Sequence, residues 1–275
     1  MQNDLIFDVG MHNGEDTSYY LKRGCKVVGI DADPCLIEKA RKRFRTRIER
    51  GQLILVNCAV SHKDNEVVTF YVSQAPLFSS LKQSLAERGR WLSKGTKVHT
   101  RTLPSLINEF GCPHYCKIDI EGSEIVCLQT MSCLAQLPSF ISVQSECFEV
   151  PATEEQALGT LHELHRLGYG KFKLVEQTTL TVLKPGTRFY IDTSRVLWIR
   201  IMTWARLRME RWKRLASSRL GYGFALGSSG AFGDGLESEW LEYEAAKETY
   251  LFHRRDFLKS RPVNLGFWCD WHASL

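Results

Sequence analysis

Three short apolar runs, DLIFD (4–8), KVVGID (26–31) and QLILVN (52–57), are separated by two stretches of helical character. This repetition constrains the fold more than any other feature. Strands alternating with helices at this spacing demand a parallel sheet with crossover helices, since a tight turn cannot join parallel neighbours. Strands this uniformly apolar are covered on both faces. The first helix is expected over 15–23, closed by Gly24. The second opens at Pro34 and runs to about residue 48. Further strands are expected at 66–72, 97–103, 115–119 and 140–146. A helix over 153–168 begins with a T-x-x-Q capping box and ends in glycine. Residues 169–177 and 179–185 read as a terminal strand pair. The stretch 73–95, SQAPLFSSLKQSLAERGRWLSKG, has no clear period and reads as a mobile loop or lid.

A chain of 275 residues accommodates one large α/β domain with an appendage. The expected division is a domain over 1–185 and a C-terminal helical and aromatic extension over 186–275. The extension holds six of the seven tryptophans, a glycine-rich stretch (221–235) and a helix at about 237–258. Between 195 and 219, eight Lys and Arg face only Glu210, giving +7 against a whole-chain net charge of +5. The basicity is local, so nucleic-acid binding is not expected. Trp198, Met202, Ala205, Met209, Trp212 and Ala216 mark one narrow helical face there. That face is expected to pack on the core or on a second copy of the chain. The alternatives are a membrane-surface helix and a site for an acidic substrate. WCDWH (268–272) reads as core or as a sugar-stacking group. No apolar run is long enough to span a bilayer, and MQNDLIFDVG lacks a basic n-region followed by an h-region. Nine cysteines show no framework spacing, and the Cys112–Cys116 pair has no second pair to complete a zinc site. A cytoplasmic protein with reduced thiols is expected.

The first strand runs into DVGMHNGEDT (8–17). A strand that turns at Gly10 into a helix near Gly14 offers backbone N–H groups at the carboxyl end of a parallel sheet, where nucleotide-like ligands bind. Asp8, Glu15 and Asp16 surround the turn and no P-loop lysine follows. Acidic surroundings suit a ligand with a cationic part, such as S-adenosylmethionine (SAM). Asp31 ends the second strand, 23 residues after Asp8, where a carboxylate can accept both ribose hydroxyls; Asp33 is the second candidate. NAD is the rival, but G-M-H-N-G lacks the third glycine of its fingerprint. Asn57 and Cys58 end the third strand beside the expected adenine position, and His12 either contacts the ligand or caps the turn.

KIDIEGSE (117–124) crowds Lys117, Asp119, Glu121 and Glu124 at the end of a later parallel strand. Alternation sets Lys117, Asp119 and Glu121 on one side if the strand continues that far. A carboxylate there can take the proton of an attacking hydroxyl, or paired carboxylates can hold Mg²⁺. Glu124 is expected to complement a helix N-terminus. Glu146, ending the strand FISVQSE, is expected at the same crevice edge.

Together DLIFDVGMHNGEDT, VVGIDADP, LVNCAVS and KIDIEGSE resemble the FkbM family of SAM-dependent methyltransferases over residues 4–185. The resemblance implies a class I methyltransferase fold, a Rossmann-like, doubly wound, mostly parallel seven-stranded sheet. It implies O-methylation of a hydroxyl on a sugar, glycan or secondary metabolite. It carries Asp8, Gly10 and Gly14 to SAM binding, Asp31 to the ribose, and Lys117, Asp119, Glu121 and Glu124 to the signature; Ser79, Ser80 and Leu81 resemble a small-residue stretch that precedes it. The chain departs from the family pattern at Thr102–Leu103–Pro104, where an aspartate is usual in the third place, and at Met11–His12. The alternatives are an NAD-linked oxidoreductase and a non-catalytic binding protein.

Overall fold

The computed structural model describes residues 4–75, 78–87, 90–146, 153–189, 223–224, 228–260 and 267–275. They fall into two compact units, Met1–Val143 and Gln144–Leu275.

The first unit opens as the apolar runs predict, with β1 (Leu5–Val9), α1 (Glu15–Lys22), β2 (Lys26–Asp31) and β3 (Leu53–Asn57). β2 pairs in parallel with β1 on one side and β3 on the other. The expected helix over 34–48 is two, α2 (Pro34–Arg43) and α3 (Arg45–Glu49). They break at Phe44 (φ −106°), whose buried ring lies against Gly14.

β4 (Ala59–Val60), β5 (Val67–Ser73) and β6 (Ser93–Arg101) form a separate small sheet in the order β4-β6-β5. Ala59, Phe70 and Val98 make its core, with Val68, Val72, Leu81 and Ala32 packed against it. The 73–95 stretch, which reads in sequence as a loop, is more structured than that. Its described part holds a bridge between Ser80 and Tyr71, a one-turn helix α4 (Gln83–Ala86) and the start of β6. Elements this short leave no period in the sequence.

α5 (Leu103–Phe110) follows, with the Thr102 hydroxyl accepting from the Ser105 amide at 3.2 Å. Pro104 suits the first turn, where its missing N–H costs nothing. Asp64 accepts from the Thr102 amide (2.7 Å) and the Ser105 hydroxyl (2.6 Å), so a carboxylate reaches this helix start from elsewhere in the chain.

β7 (Tyr115–Ile118) pairs in parallel with β1, and β8 (Phe140–Gln144) pairs in parallel with β7. α6 (Glu124–Thr130) connects them. The order β8-β7-β1-β2-β3 reverses direction between β1 and β7. A crevice opens outside the carboxyl ends at such a switch point. Ile6, Phe7, Val9, Val27, Val28 and Tyr115 are fully buried, as a sheet covered on both faces requires.

The second unit contains α7 (Glu154–Ala157), α8 (Gly159–Arg166), β9 (Lys171–Glu176), β10 (Thr181–Leu183), α9 (Tyr243–Ser260) and β11 (Cys269–Ser274). Thr153 caps α7 by accepting from the Gln156 amide at 3.2 Å. β9 lies antiparallel between β10 and β11. Residues before and after 185 therefore share one strand set. Among the described residues, β11 is a strand that the sequence reading does not assign. Its Trp271 is fully buried beside Tyr250 and Phe172, so that ring is core and is not free to stack on a sugar. The basic segment 195–219 lies outside the described residues. Among the described residues, no helix is long and apolar enough to cross a membrane, and eight cysteines are free.

Candidate active site

The turn after β1 is built on Gly10. Its φ is +80°, and a Cβ there would stand 1.8 Å from the Asp119 carbonyl oxygen. Only glycine permits both the left-handed backbone and this approach. The Gly10 and Met11 amides donate to the Ile30 carbonyl at 2.9 and 3.1 Å, and the Asp119 amide donates to the Val9 carbonyl at 3.0 Å. The ends of β1, β2 and β7 are thus locked together.

They frame an open pocket. One side is the β1 turn with Gly10 and His12, and the end of β2 with Asp31 and Ala32. Another part of the lining is apolar: Ala59, Val60, Phe70 and Leu81, with Ser79. The floor toward β7 is the 119–123 turn, presenting Asp119, Ile120, Glu121 and Ser123. Three lining residues are acidic, and none of those described is Lys or Arg.

Asp31 is buried at the end of β2. Its two oxygens accept from the His12 and Asp33 amides, each at 2.8 Å. A carboxylate offers about four acceptor positions, so two remain for a ligand. Burial pushes its carboxyl up to about 7; the two amides oppose that rise. His12 holds a left-handed backbone (φ 49°), which aims its amide at Asp31. Its ring lines the pocket, and burial, helped by Lys117, lowers its pKa.

Lys117 sits deeper. Its side chain is 4% exposed, and its Nζ is 3.5 Å from Asp8, 3.8 Å from Asp16 and 3.7 Å from Asp119. It also donates to the Gly10 carbonyl at 3.3 Å. The ammonium stands beside Asp119, one of the carboxylates of 117–124 that the sequence offers as an alternative holder of Mg²⁺. Among the described residues, no three His, Cys, Asp or Glu side chains are grouped to hold a metal. Asp8, fully buried, accepts the Thr17 hydroxyl at 2.6 Å. Of the three acids, Asp119 alone reaches the pocket, its side chain 30% exposed.

Alternation does not carry through this stretch, because β7 stops at Ile118 and Glu121 is left-handed (φ 53°). Asp119 and Glu121 line the pocket; Lys117 does not. Glu124 spends its carboxylate on the turn itself, accepting from the Ile120 amide (3.1 Å) and the Gly122 amide (2.9 Å). Burial raises its pKa.

The other expected residues separate. Gly10, His12, Asp31 and Cys58 line the pocket. Cys58, pushed up to about 12 by burial, is a neutral thiol there. Asp8, Gly14 and Asn57 are not lining residues. Gly14 caps α1 (φ 73°), and the Asn57 side-chain Nδ2 donates to the Asp31 carbonyl at 2.9 Å. Glu15 pairs with Arg43 at 3.5 Å, and Asp16 with Lys117, so neither acid at the α1 start supplies the pocket's charge. Glu146 belongs to the second unit, where its buried carboxylate accepts from Arg254 at 2.5 Å and from the Tyr250 hydroxyl. Phe70 and Val60 escape a reading of the sequence; their place depends on the register of the small sheet, which no local pattern reveals.

Residues 8–170 match the model of the methyltransferase FkbM domain. No curated protein matches the chain. Among solved structures, the methyltransferase FkbM of Methylobacillus flagellatus KT is 15% identical, with TM-score 0.33, over 51% of this chain and 32% of that one. The chain therefore spans about a third of that structure's length. The geranyl diphosphate C-methyltransferase of Streptomyces coelicolor A3(2), solved with Mg²⁺, geranyl-S-thiolodiphosphate and S-adenosyl-L-homocysteine, is 12% identical, with TM-score 0.39, over 98% of this chain and 69% of that one. With the domain match covering more than half of its length, the chain belongs to the FkbM methyltransferase family.

Proposed function

We propose that the protein is a SAM-dependent O-methyltransferase acting on a hydroxyl of a sugar, glycan or secondary metabolite. The observation that carries this reading is Asp31, a carboxylate at the end of β2 with acceptor positions to spare, in a pocket lined by acids and no described cation. A cis-diol matches those positions. The acids favour a sulfonium and an ammonium, and they oppose the pyrophosphate of NAD. The apolar wall of Val60, Phe70 and Leu81 suits a flat ring.

SAM, when bound, supplies a methyl group already activated by its sulfonium. The protein then has to hold two reactants in line, exclude water and take up a proton. Asp31 and the turn at Gly10 hold the donor. As the acceptor oxygen bonds to carbon its hydroxyl becomes strongly acidic, and Asp119 at the pocket floor takes that proton. Lys117 behind it, 3.7 Å away, holds the carboxylate in place.

A pH dependence follows from Asp31. Its neutral form cannot accept from two hydroxyls with both oxygens, and a bound cation favours the ionised form. The SAM Kd is expected to be flat above about pH 7 and to rise by up to about tenfold per pH unit below it, because binding then requires loss of a proton. Titration calorimetry between about pH 5.5 and 8.5 checks this; an affinity that rises as pH falls contradicts the role given to Asp31.

The acceptor class is tested by incubating the protein with methyl-labelled SAM and a panel of neutral sugars, polyols and amines. Label in an alkali-stable ether is the expected product. Label confined to amines would replace O-methylation by N-methylation.

A further inference from the structure

We propose that Ser80 is a positioning residue that couples the pocket's outer wall to the turn carrying Asp119 and Glu121; this rests on the methyltransferase reading only for its consequence in catalysis. The turn is held against its own preference. Glu121 adopts φ 53° and Gly122 φ 107°, and a non-glycine residue in the left-handed region persists only where its surroundings over-determine it. Glu124 braces the turn from within, through the Ile120 and Gly122 amides. From outside, the Ser80 hydroxyl donates to the Glu121 carbonyl at 2.7 Å.

Ser80 is itself fixed. It is 1% exposed, exchanges two backbone hydrogen bonds with Tyr71 of β5, and accepts from the Lys82 amide at 3.1 Å. Its hydroxyl therefore has its donor and an acceptor position engaged, and the donor goes to the residue whose backbone is strained. The residues on either side, Ser79 and Leu81, both line the pocket, as do Asp119 and Glu121. The bond from Ser80 to Glu121 closes the pocket wall onto the acid turn. A ligand pressing on Ser79 and Leu81 thereby orders the two carboxylates.

The test compares wild type with S80A and S80T by amide hydrogen exchange over 118–124, with and without saturating SAM, alongside SAM titration of each. The expected result is exchange at least about tenfold faster over 118–124 in S80A, with the SAM Kd within about threefold of wild type. The added protection that SAM confers on the turn is expected to be lost in S80A and restored in S80T, which keeps the hydroxyl. Unchanged exchange in S80A, or a restoration no better in S80T than in S80A, overturns the proposal. If S80T does not fold, S80C, a weaker donor of similar size, is expected to fall between wild type and S80A; exchange equal to wild type overturns the coupling. If SAM fails to bind wild type while S80A still loosens the turn, the coupling stands and the methyltransferase reading falls.

Discussion

Asp119→Asn is expected to lower methyl transfer by about 10²–10⁴-fold, the usual worth of a positioned general base, while SAM binds within about threefold of wild type. The substitution keeps the size and shape of the side chain. An amide cannot take the proton released as the acceptor oxygen is methylated. The side chain is 30% exposed and Lys117 retains Asp8 and Asp16 at 3.5 and 3.8 Å, so little stability is at stake. Single-turnover kinetics with an acceptor that wild type methylates, paired with SAM titration, separates the two effects. Wild-type turnover in this variant removes Asp119 as the proton acceptor and passes the role to Glu121, the other acid on the turn.

Gly10→Ala is expected to destabilise the fold by about 3 kcal/mol or more and to abolish SAM binding. A left-handed alanine costs about 1–2 kcal/mol, and forcing an extra methyl into a packed site costs about 1–3 kcal/mol. Here the obstacle is the Asp119 backbone carbonyl, 1.8 Å from the new atom, so the β1 and β7 ends must separate. For a chain of this size the melting temperature should fall by roughly 6–12 °C. Gly24→Ala is the control. Gly24 is equally left-handed (φ 87°), but an added methyl there would meet nothing within 4 Å, so only the backbone cost is expected. Equal losses in the two variants would show that close packing against Asp119 is not what Gly10 provides.

The parallel core is legible in the sequence because each apolar run lies within one element, and the character of a buried strand survives in a local window. Gly10 and Asp31 are legible for the same reason: each ends such a run and faces the switch point. Lys117 shows where local reading stops. Alternation from Asp119 places it at the crevice mouth, yet Glu121 breaks the strand geometry, and α1 brings Asp16 to meet the buried ammonium. Glu124 stands in the first turn of its own helix, as expected, and its carboxylate also satisfies the amides of the preceding turn, which the sequence does not announce. The place of Phe70 in the lining is invisible locally because it depends on β5 pairing with β6 about thirty residues later. Trp271 stays open between core and ligand stacking on sequence alone; only the pairing of β11 with β9 places it inside a strand set.

Calorimetric titration of wild type and Asp31→Ala with SAM, with NADH as the competing ligand, tests the central claim most directly. Two charge-assisted hydrogen bonds at about 1.5–3 kcal/mol each predict saturable SAM binding to wild type and a loss of about 10²-fold or more in the variant. Asp31→Asn, which retains one oxygen for the His12 or Asp33 amide, should fall between them. Preferential NADH binding, or SAM affinity indifferent to Asp31, would contradict the account.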